Sequence, residues 1–252
     1  AAAASGLGHI SLSGAQVGSR VREVPLLMAG GGRLFPALPL EALRLGAGAS
    51  TYVVQGDPVS PGGMQSLKLA DFVAPTDEKG QLRFYAAPDA TVRSLSAAAI
   101  LSKDPLPPDK ADLVNGSIVL VGVYATGLQD IRSTPLGEAV PGVNIHAQLI
   151  SQIMAGQFLS RPAWLDGAEV VAVAVLSLLL VALAAFAGPV AGLVAAGLVM
   201  VLVAGLCWYL FVAQGMLVDP VAPLGGALLT VFATTAFWYV VIERQRRYIR
   251  QA

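Results

Sequence analysis

Between residues 168 and 242 the chain carries only two charged side chains, Glu169 and Asp219. A helix in a soluble core does not need so long a run without charge, whereas a hydrocarbon layer does. Three apolar blocks fill the run, 168–187, 190–213 and 220–242, of 20, 24 and 23 residues. At about 1.5 Å rise per residue, each is long enough to cross a hydrocarbon core of roughly 30 Å. Gly188-Pro189 and the polar stretch "QGMLVDP" (214–220) separate them. Trp164, Trp208, Tyr209, Trp238 and Tyr239 fall towards block ends, where interfacial aromatics gather. The spacing therefore predicts three transmembrane helices. The competing arrangement is a buried three-helix core in a large soluble protein.

The charged residues lie on either side of this block. All four Lys and eight of the Arg precede it, while Arg244, Arg246, Arg247 and Arg250 follow it, opposed there only by Glu243. Positive charge next to a last span predicts that end in the cytoplasm. Three crossings then put the first 165 residues outside, in a periplasmic or extracellular compartment. The zero net charge sums three unlike regions and says little about partners. A membrane is the expected partner, and no nucleic acid is expected. The single cysteine, Cys207, lies in an apolar block and cannot form an intrachain disulfide. The opening "AAAASGLGHISL" has neither initiator Met nor charged n-region, and the chain is expected to be a piece of a longer one.

Residues 1–165 read as an α/β domain, a sheet covered by helices. "GHISL" (8–12), "VREVPLLM" (21–28), "TYVVQ" (51–55) and "LRFYAA" (82–87) read as strands. Glycines 30–32 read as a turn and 58–63 as a loop. Helices are expected over 38–45, over 94–101 with Ser94 as a cap, and over 143–154 with a stop at Gly156. "SIVLVGVY" (117–124) is a near-continuous apolar run, the pattern of a strand buried on both faces.

Few residues are candidates for chemistry. His9 and His146 are the only histidines, and neither has a partner at metal-ligand spacing. No G-x-S-x-G elbow is present, and the glycines at 30–32 lack the Lys-Ser/Thr of a phosphate loop. No metal, cofactor or catalytic residue is expected in this chain. "GPVAG" (188–192) has the spacing that lets membrane helices approach closely.

The stretch "VYATGLQDIRSTPLGEAVPGVNIHA" (123–147) remains, and its polar residues follow the expected buried strand. Ligands of open α/β sheets bind at that edge. Asp130 and Arg132 are close enough to pair or to grip a polar ligand, and Thr126, Ser133 and Thr134 supply hydroxyls. Alternatively Asp130 and Thr134 hydrogen-bond loop amides, Pro135 and Pro141 fix the loop path, and His146 packs in the first turns of the next helix. Asp130, Arg132, Thr134 and His146 are thus candidates for ligand binding or for bracing the loop.

The segment "GSIVLVGVYATGLQDIRSTPLGEAVPGVNIHAQLISQI" resembles the end of the second type of CHASE domain, a sensory extracellular domain associated with cyclases and histidine kinases. The matching positions are 116–122, Asp130, Thr134-Pro135, 141–143 and His146-Ala147. "GHISL…VREVPLLM…FPALPLEALRL" resembles an earlier segment of that family, although no Asp-Gly precedes Val21. The resemblance implies an extracytoplasmic sensor domain lacking its N-terminal part (1–165), three transmembrane helices (168–242) and a cytoplasmic linker (243–252) to an output domain. "ERQRRYIRQA" is similar to the linker before class III adenylate/guanylate cyclase domains, which implies a cyclase receptor working as a homodimer on an unknown extracytoplasmic ligand or protein. A histidine kinase, Ser/Thr kinase or diguanylate cyclase output is the alternative. A structural or transport component without signalling output is a further one.

Overall fold

The computed structural model describes residues 4–12, 20–58, 61–88, 92–102, 107–123, 130–137, 139–162 and 164–251, the last ten as helix backbone. Contacts divide the chain into two units, Ala1–Leu159 and Ser160–Ala252.

The first unit contains, among the described residues, four small antiparallel sheets with helices. Strand β1 (Glu23–Pro25) pairs with β7 (Gln81–Arg83), and β2 (Leu27–Gly30) with β3 (Arg33–Pro36). Strands β4 (Val53–Gly56), β5 (Met64–Leu69) and β6 (Phe72–Pro75) form a meander, and β8 (Ile131–Ser133) pairs with β9 (Ala139–Pro141). The expected glycine turn joins β2 to β3, with Gly31 and Gly32 at φ of 57° and 75°, where a side chain would be strained. Helices α1 (Leu38–Gly46) and α4 (Gly142–Ala155) are the two substantial ones; α2 (Ala97–Ile100) and α3 (Pro108–Val114) are short.

Helix α4 shows how sequence spacing builds this unit. Ile145, Leu149 and Ile153 recur every four residues, so they share one face, and each is at most 2% exposed. They pack into one core with Leu40 and Leu43 of α1, Val24 of β1, Leu67 of β5 and Leu82 of β7. Burying each such side chain contributes about 1.5–3 kcal/mol, an upper estimate given residual burial in the unfolded chain. The helix begins after Pro141 and ends at Gly156, whose φ of 63° is left-handed. That ending is the one expected from the sequence. On an adjoining face, Gln152 Oε1 accepts from the Tyr85 amide at 3.1 Å and its Nε2 donates to the Arg83 carbonyl at 2.9 Å. Gln148 Oε1 accepts from the Ala87 amide at 3.1 Å. Two glutamines thus occupy the hydrogen-bonding edge that follows β7, where a neighbouring strand would otherwise stand.

Several expected elements differ. Residues 117–123 enter no strand, and Val119, Val121 and Val123 are 51%, 93% and 62% exposed. Only Leu120 of this run packs against the core. Apolar composition says what a segment can bury, but a ladder also needs a partner edge, and no described residue supplies one. Tyr124 lies outside the described residues. Residues 8–12 form a single bridge, His9 to Ala37, in place of a strand. The helix expected over 94–101 shortens to α2, with Ser96 rather than Ser94 at its start and no buried residue to hold it.

The second unit is α5 (Trp164–Ala187), α6 (Pro189–Gln214) and α7 (Val221–Gln251). Their apolar spans, Trp164–Ala187, Pro189–Gln214 and Val221–Val241, are 24, 26 and 21 residues long. At about 1.5 Å rise per residue, each reaches across about 30 Å of hydrocarbon. Burial separates the two arrangements open to such a sequence. Phe186, Leu178, Leu202 and Leu229 are 92%, 71%, 71% and 72% exposed, which fits lipid-facing helices and not a protein core. Where the helices touch, small residues meet: a Cβ on Gly226 would lie 2.8 Å from Val173 Cγ1, and one on Gly192 would lie 2.9 Å from Ala184 Cβ. Within "GPVAG", Gly192 is therefore the packing residue, while Gly188 turns the chain at φ 87°. The hydroxyls of Thr230 and Thr234 donate to carbonyls one turn back, at 2.8 Å each, so neither is left unpaired in lipid.

Gln152→Ala removes two bonds that the exposed-edge amide and carbonyl of residues 83–85 lose without replacement. It is expected to destabilise the first unit by about 1–3 kcal/mol, read as an earlier thermal or urea transition, and Gln152→Glu is expected to retain the Tyr85 contact.

Candidate functional site: the Asp130–His146 joint

The connection between β8 and α4 holds the candidate residues. Thr134 to Gly137 forms a turn, with the Gly137 amide donating to the Thr134 carbonyl at 3.0 Å and Pro135 in the position where a fixed φ favours turning. The turn folds β9 back on β8, pairing Arg132 with Val140. The Ser133 carbonyl accepts from the Val21 amide at 2.9 Å, tying this hairpin to the segment before β1.

Asp130 meets the start of α4. Its carbonyl accepts from the Gly142 amide at 2.8 Å, and a Cβ on Gly142 would lie 2.7 and 2.8 Å from the two Asp130 carboxylate oxygens. Only glycine lets the carboxylate lie over the first residue of the helix. A negative charge there complements the free amides and the positive end of the helix dipole. Arg132 Nε lies 3.8 Å from Asp130 Oδ1, at the long end of an ion pair, with half or more of the aspartate in solvent. Such a pair contributes at most about 1 kcal/mol.

His146 lies one turn into α4 and is 5% exposed. Burial, first, lowers its pKa; the Asp130 charge and a bond to the Ile10 backbone oppose this, and the His9 charge adds to it. Burial likewise lowers the pKa of His9. The Nδ1 of His146, both ring nitrogens of His9, Thr134 Oγ1 and Arg132 Nε are buried without a hydrogen-bond partner. The structure thus brings Asp130 together with Arg132 and with His146, and it adds His9. Thr134 is fully buried, with an unused hydroxyl. Thr126 lies outside the described residues. No group of His, Cys, Asp and Glu able to hold a metal occurs among the described residues.

A second polar cluster was not evident from the sequence. Arg44 grips Glu41 through Nε and Nη2 at 2.9 and 2.7 Å, and its Nη1 donates to the Ala49 carbonyl at 2.9 Å. The Tyr52 hydroxyl donates to the same carboxylate. The Arg44 guanidinium, with Tyr52 adding to it, holds the Glu41 carboxyl below its ordinary range, against the effect of burial. Stability from this cluster is therefore present above the ordinary carboxylate pKa and lost as pH falls through the depressed one. Its i,i+3 spacing on α1 was the available signal, but such pairs usually lie in solvent and here Glu41 is only 6% exposed.

The third cluster lies wholly in the second unit. Arg161 Nη2 donates to Asp166 Oδ1 and to Glu169 Oε2, both at 2.7 Å, and Nη1 donates to the Leu217 carbonyl at 2.8 Å. The other Glu169 oxygen accepts from the Asp219 amide at 2.8 Å. Backbone bonds run alongside: the Ser160 amide to the Gly215 carbonyl, and the Leu217 amide to the Ser160 carbonyl, each at 2.9 Å. The segment before α5 is thereby fastened to the α6–α7 connection. Glu169 and Asp219 are the two charges that interrupt the apolar stretch, so two carboxylates in a charge-free run, with an arginine just upstream, were the signal for it.

The model of the CHASE2 domain family matches residues 1–184. No curated protein and no solved structure matches the chain.

Gly142→Ala is expected to destabilise the first unit by about 1–3 kcal/mol, because its methyl meets the Asp130 carboxylate. In an Asp130→Ala background the same substitution is expected to cost markedly less. Urea unfolding of the four variants measures the difference, and equal costs in both backgrounds would contradict the contact.

Proposed function

The chain belongs to the CHASE2 domain family, and on that premise we propose that it is the sensory input module of a membrane receptor that signals to a cytoplasmic output domain. CHASE2 domains are extracellular sensory domains, and the three apolar helices fit a membrane receptor. The sensor occupies the extracytoplasmic side and the end of α7 lies in the cytoplasm, as the four arginines at that end favour. An external ligand or protein acts on the first unit, in a homodimeric receptor. Asp130, Arg132, Thr134 and His146 either contact that ligand or brace the loop beside it.

The observation that carries this reading is α7. It is a single helix, Val221–Gln251, whose apolar span stops at Val241. Ten further residues continue as the same helix, the form needed for a rod that transmits a displacement or rotation out of the membrane. The Arg161 cluster supports a route to it. The chain leaving the sensor enters Ser160 and Arg161, and these are bonded to residues 215–219, directly before α7 begins. For such coupling to signal, the stimulus must favour one of two arrangements of this connection.

The output in this reading is a class III adenylate or guanylate cyclase, and any catalysis resides there rather than in this chain. Sequencing the gene beyond the codon for Ala252 decides the output: a cyclase domain is expected, a kinase or diguanylate cyclase domain replaces that part of the proposal, and a stop codon contradicts it. Orientation is tested by cysteine labelling in a Cys207→Ser background. Lys79→Cys is expected to react with an impermeant maleimide in cells whose outer barrier alone has been opened, and Gln251→Cys only after lysis. The reverse pattern would overturn the topology.

A further inference from the structure

Both histidines of this chain bear on one segment, 4–12. His9 is fixed by its own backbone: its amide donates to the Pro36 carbonyl and its carbonyl accepts from the Leu38 amide, each at 2.8 Å. It thereby holds segment 4–12 against the entry to α1. His146 reaches the same segment from α4, through the Ile10 backbone, and the two imidazoles are close enough for each other's charge to matter. Three of their four ring nitrogens are buried with no partner.

A neutral imidazole tolerates this arrangement. It has one donor and one acceptor, and an unused acceptor is a modest loss. An imidazolium has two donors and a charge, and burying these without acceptors is far more costly. Protonating both rings would also set two positive charges within reach of each other. The charged groups facing the pair are few. Asp130, before β8, faces His146 and favours its protonation, but it is shared with Arg132 at 3.8 Å. On α1, Glu41 approaches the same segment at Gly6, where its carboxylate leaves no room for a Cβ, yet it is already held by Arg44 and Tyr52. Among the described residues, burial is the cause that acts on His9.

We propose that the first unit binds protons as a signal: His146, bonded to the Ile10 backbone next to His9, holds segment 4–12 on α4 when both rings are neutral, and acidification of the extracytoplasmic medium opens this joint. This rests on the sensor reading above, and it names a stimulus for the Asp130–His146 joint. The sign follows from burial. Both folded-state values lie below the ordinary value of 6.5, so the opened form takes up protons first. The contact is intact above about pH 6.5 and is lost as pH falls from there towards the depressed folded values. In that window the opening constant rises by up to about tenfold per pH unit for each histidine.

The test is amide hydrogen exchange on the whole chain in lipid nanodiscs, at about pH 7.5 and about pH 5.5, corrected for the intrinsic pH dependence of exchange. At acid pH, protection is expected to fall at least tenfold in residues 7–12 and in the first turns of α4, with the β4–β6 meander unchanged. His9→Gln with His146→Gln is expected to abolish the difference. Asp130→Asn is expected to enlarge it, because the group that eases His146 protonation is gone. Should the double variant not fold, the wild-type chain still provides the test, since its two imidazole signals are resolvable by NMR and both must titrate below 6.5 with the opening following them. Unchanged protection at acid pH, or a loss spread evenly over the unit, would overturn the proposal. These readouts need no output domain. A failed switch with Lys79→Cys labelled from outside leaves the sensor reading intact and removes protons as its signal. A working switch with the reverse labelling overturns the proposal as a sensor of the external medium.

Discussion

One guanidinium, that of Arg161, ties α5 to the α6–α7 connection, reaching 56 residues along the chain to Leu217. It bonds Asp166 and Glu169 on α5 and the Leu217 carbonyl before α7. Charge-assisted bonds of this kind are worth about 1.5–3 kcal/mol each where water is partly excluded. Glu169 is 11% exposed on its side chain and Arg161 25%, whereas Asp166 is mostly in solvent. The Glu169 and Leu217 bonds therefore matter most. Without Arg161, Glu169 would keep its bond to the Asp219 amide but stand as a largely buried charge at the end of a membrane span. Without Glu169, nothing would tie the Asp219 amide to α5. The cluster fixes the segment before α5 to the α6–α7 connection, while the membrane helices pack through Leu180, Ala196 and Ala227 and close approaches at Gly192 and Gly226.

The same logic recurs in the first unit, where a few polar side chains fix what the apolar core leaves free. Ile145, Leu149 and Ile153 bury one face of α4, but burial is non-directional. Gln148 and Gln152 set the register of α4 against residues 83–87, and Asp130 sets its start. The histidines sit where α4 meets segment 4–12, with three of their ring nitrogens unused. Under the proton-sensing proposal, a joint held by neutral, desolvated rings loosens as they take up protons, which a second carboxylate–arginine pair would not do in the same pH range.

The fold was legible in the sequence wherever the signal was local. The three membrane helices, α1, α4 with its stop at Gly156, and the Gly31-Gly32 turn all rest on periodicity, length or glycine conformation. What was not legible depends on partners distant along the chain. Residues 117–123 have the composition of a buried strand, yet Val121 is among the most exposed residues of the unit, since composition does not state whether an edge is available. Short strands such as β8 and β9 have too few residues to show a period and arise from the Thr134–Gly137 turn. Of the candidate residues, Asp130, Arg132 and His146 do converge, and Thr134 is buried with its hydroxyl unused. The approach of His146 to the segment of His9 could not be read from a spacing of well over a hundred residues, whereas Glu169 and Asp219, alone in a charge-free run, did mark their cluster.

The central claim is that the exit from the sensor and the entry to α7 move as one piece because Arg161 joins them. Amide exchange at Leu217 and Asp219 in bilayer-embedded wild type and Arg161→Gln measures this directly, since both amides are bonded within the cluster. Slow exchange in the wild type and a rise of about tenfold or more in the variant are expected, as loss of a charge-assisted bond implies, with residues 1–159 unaffected. Equal exchange in the two proteins would contradict it.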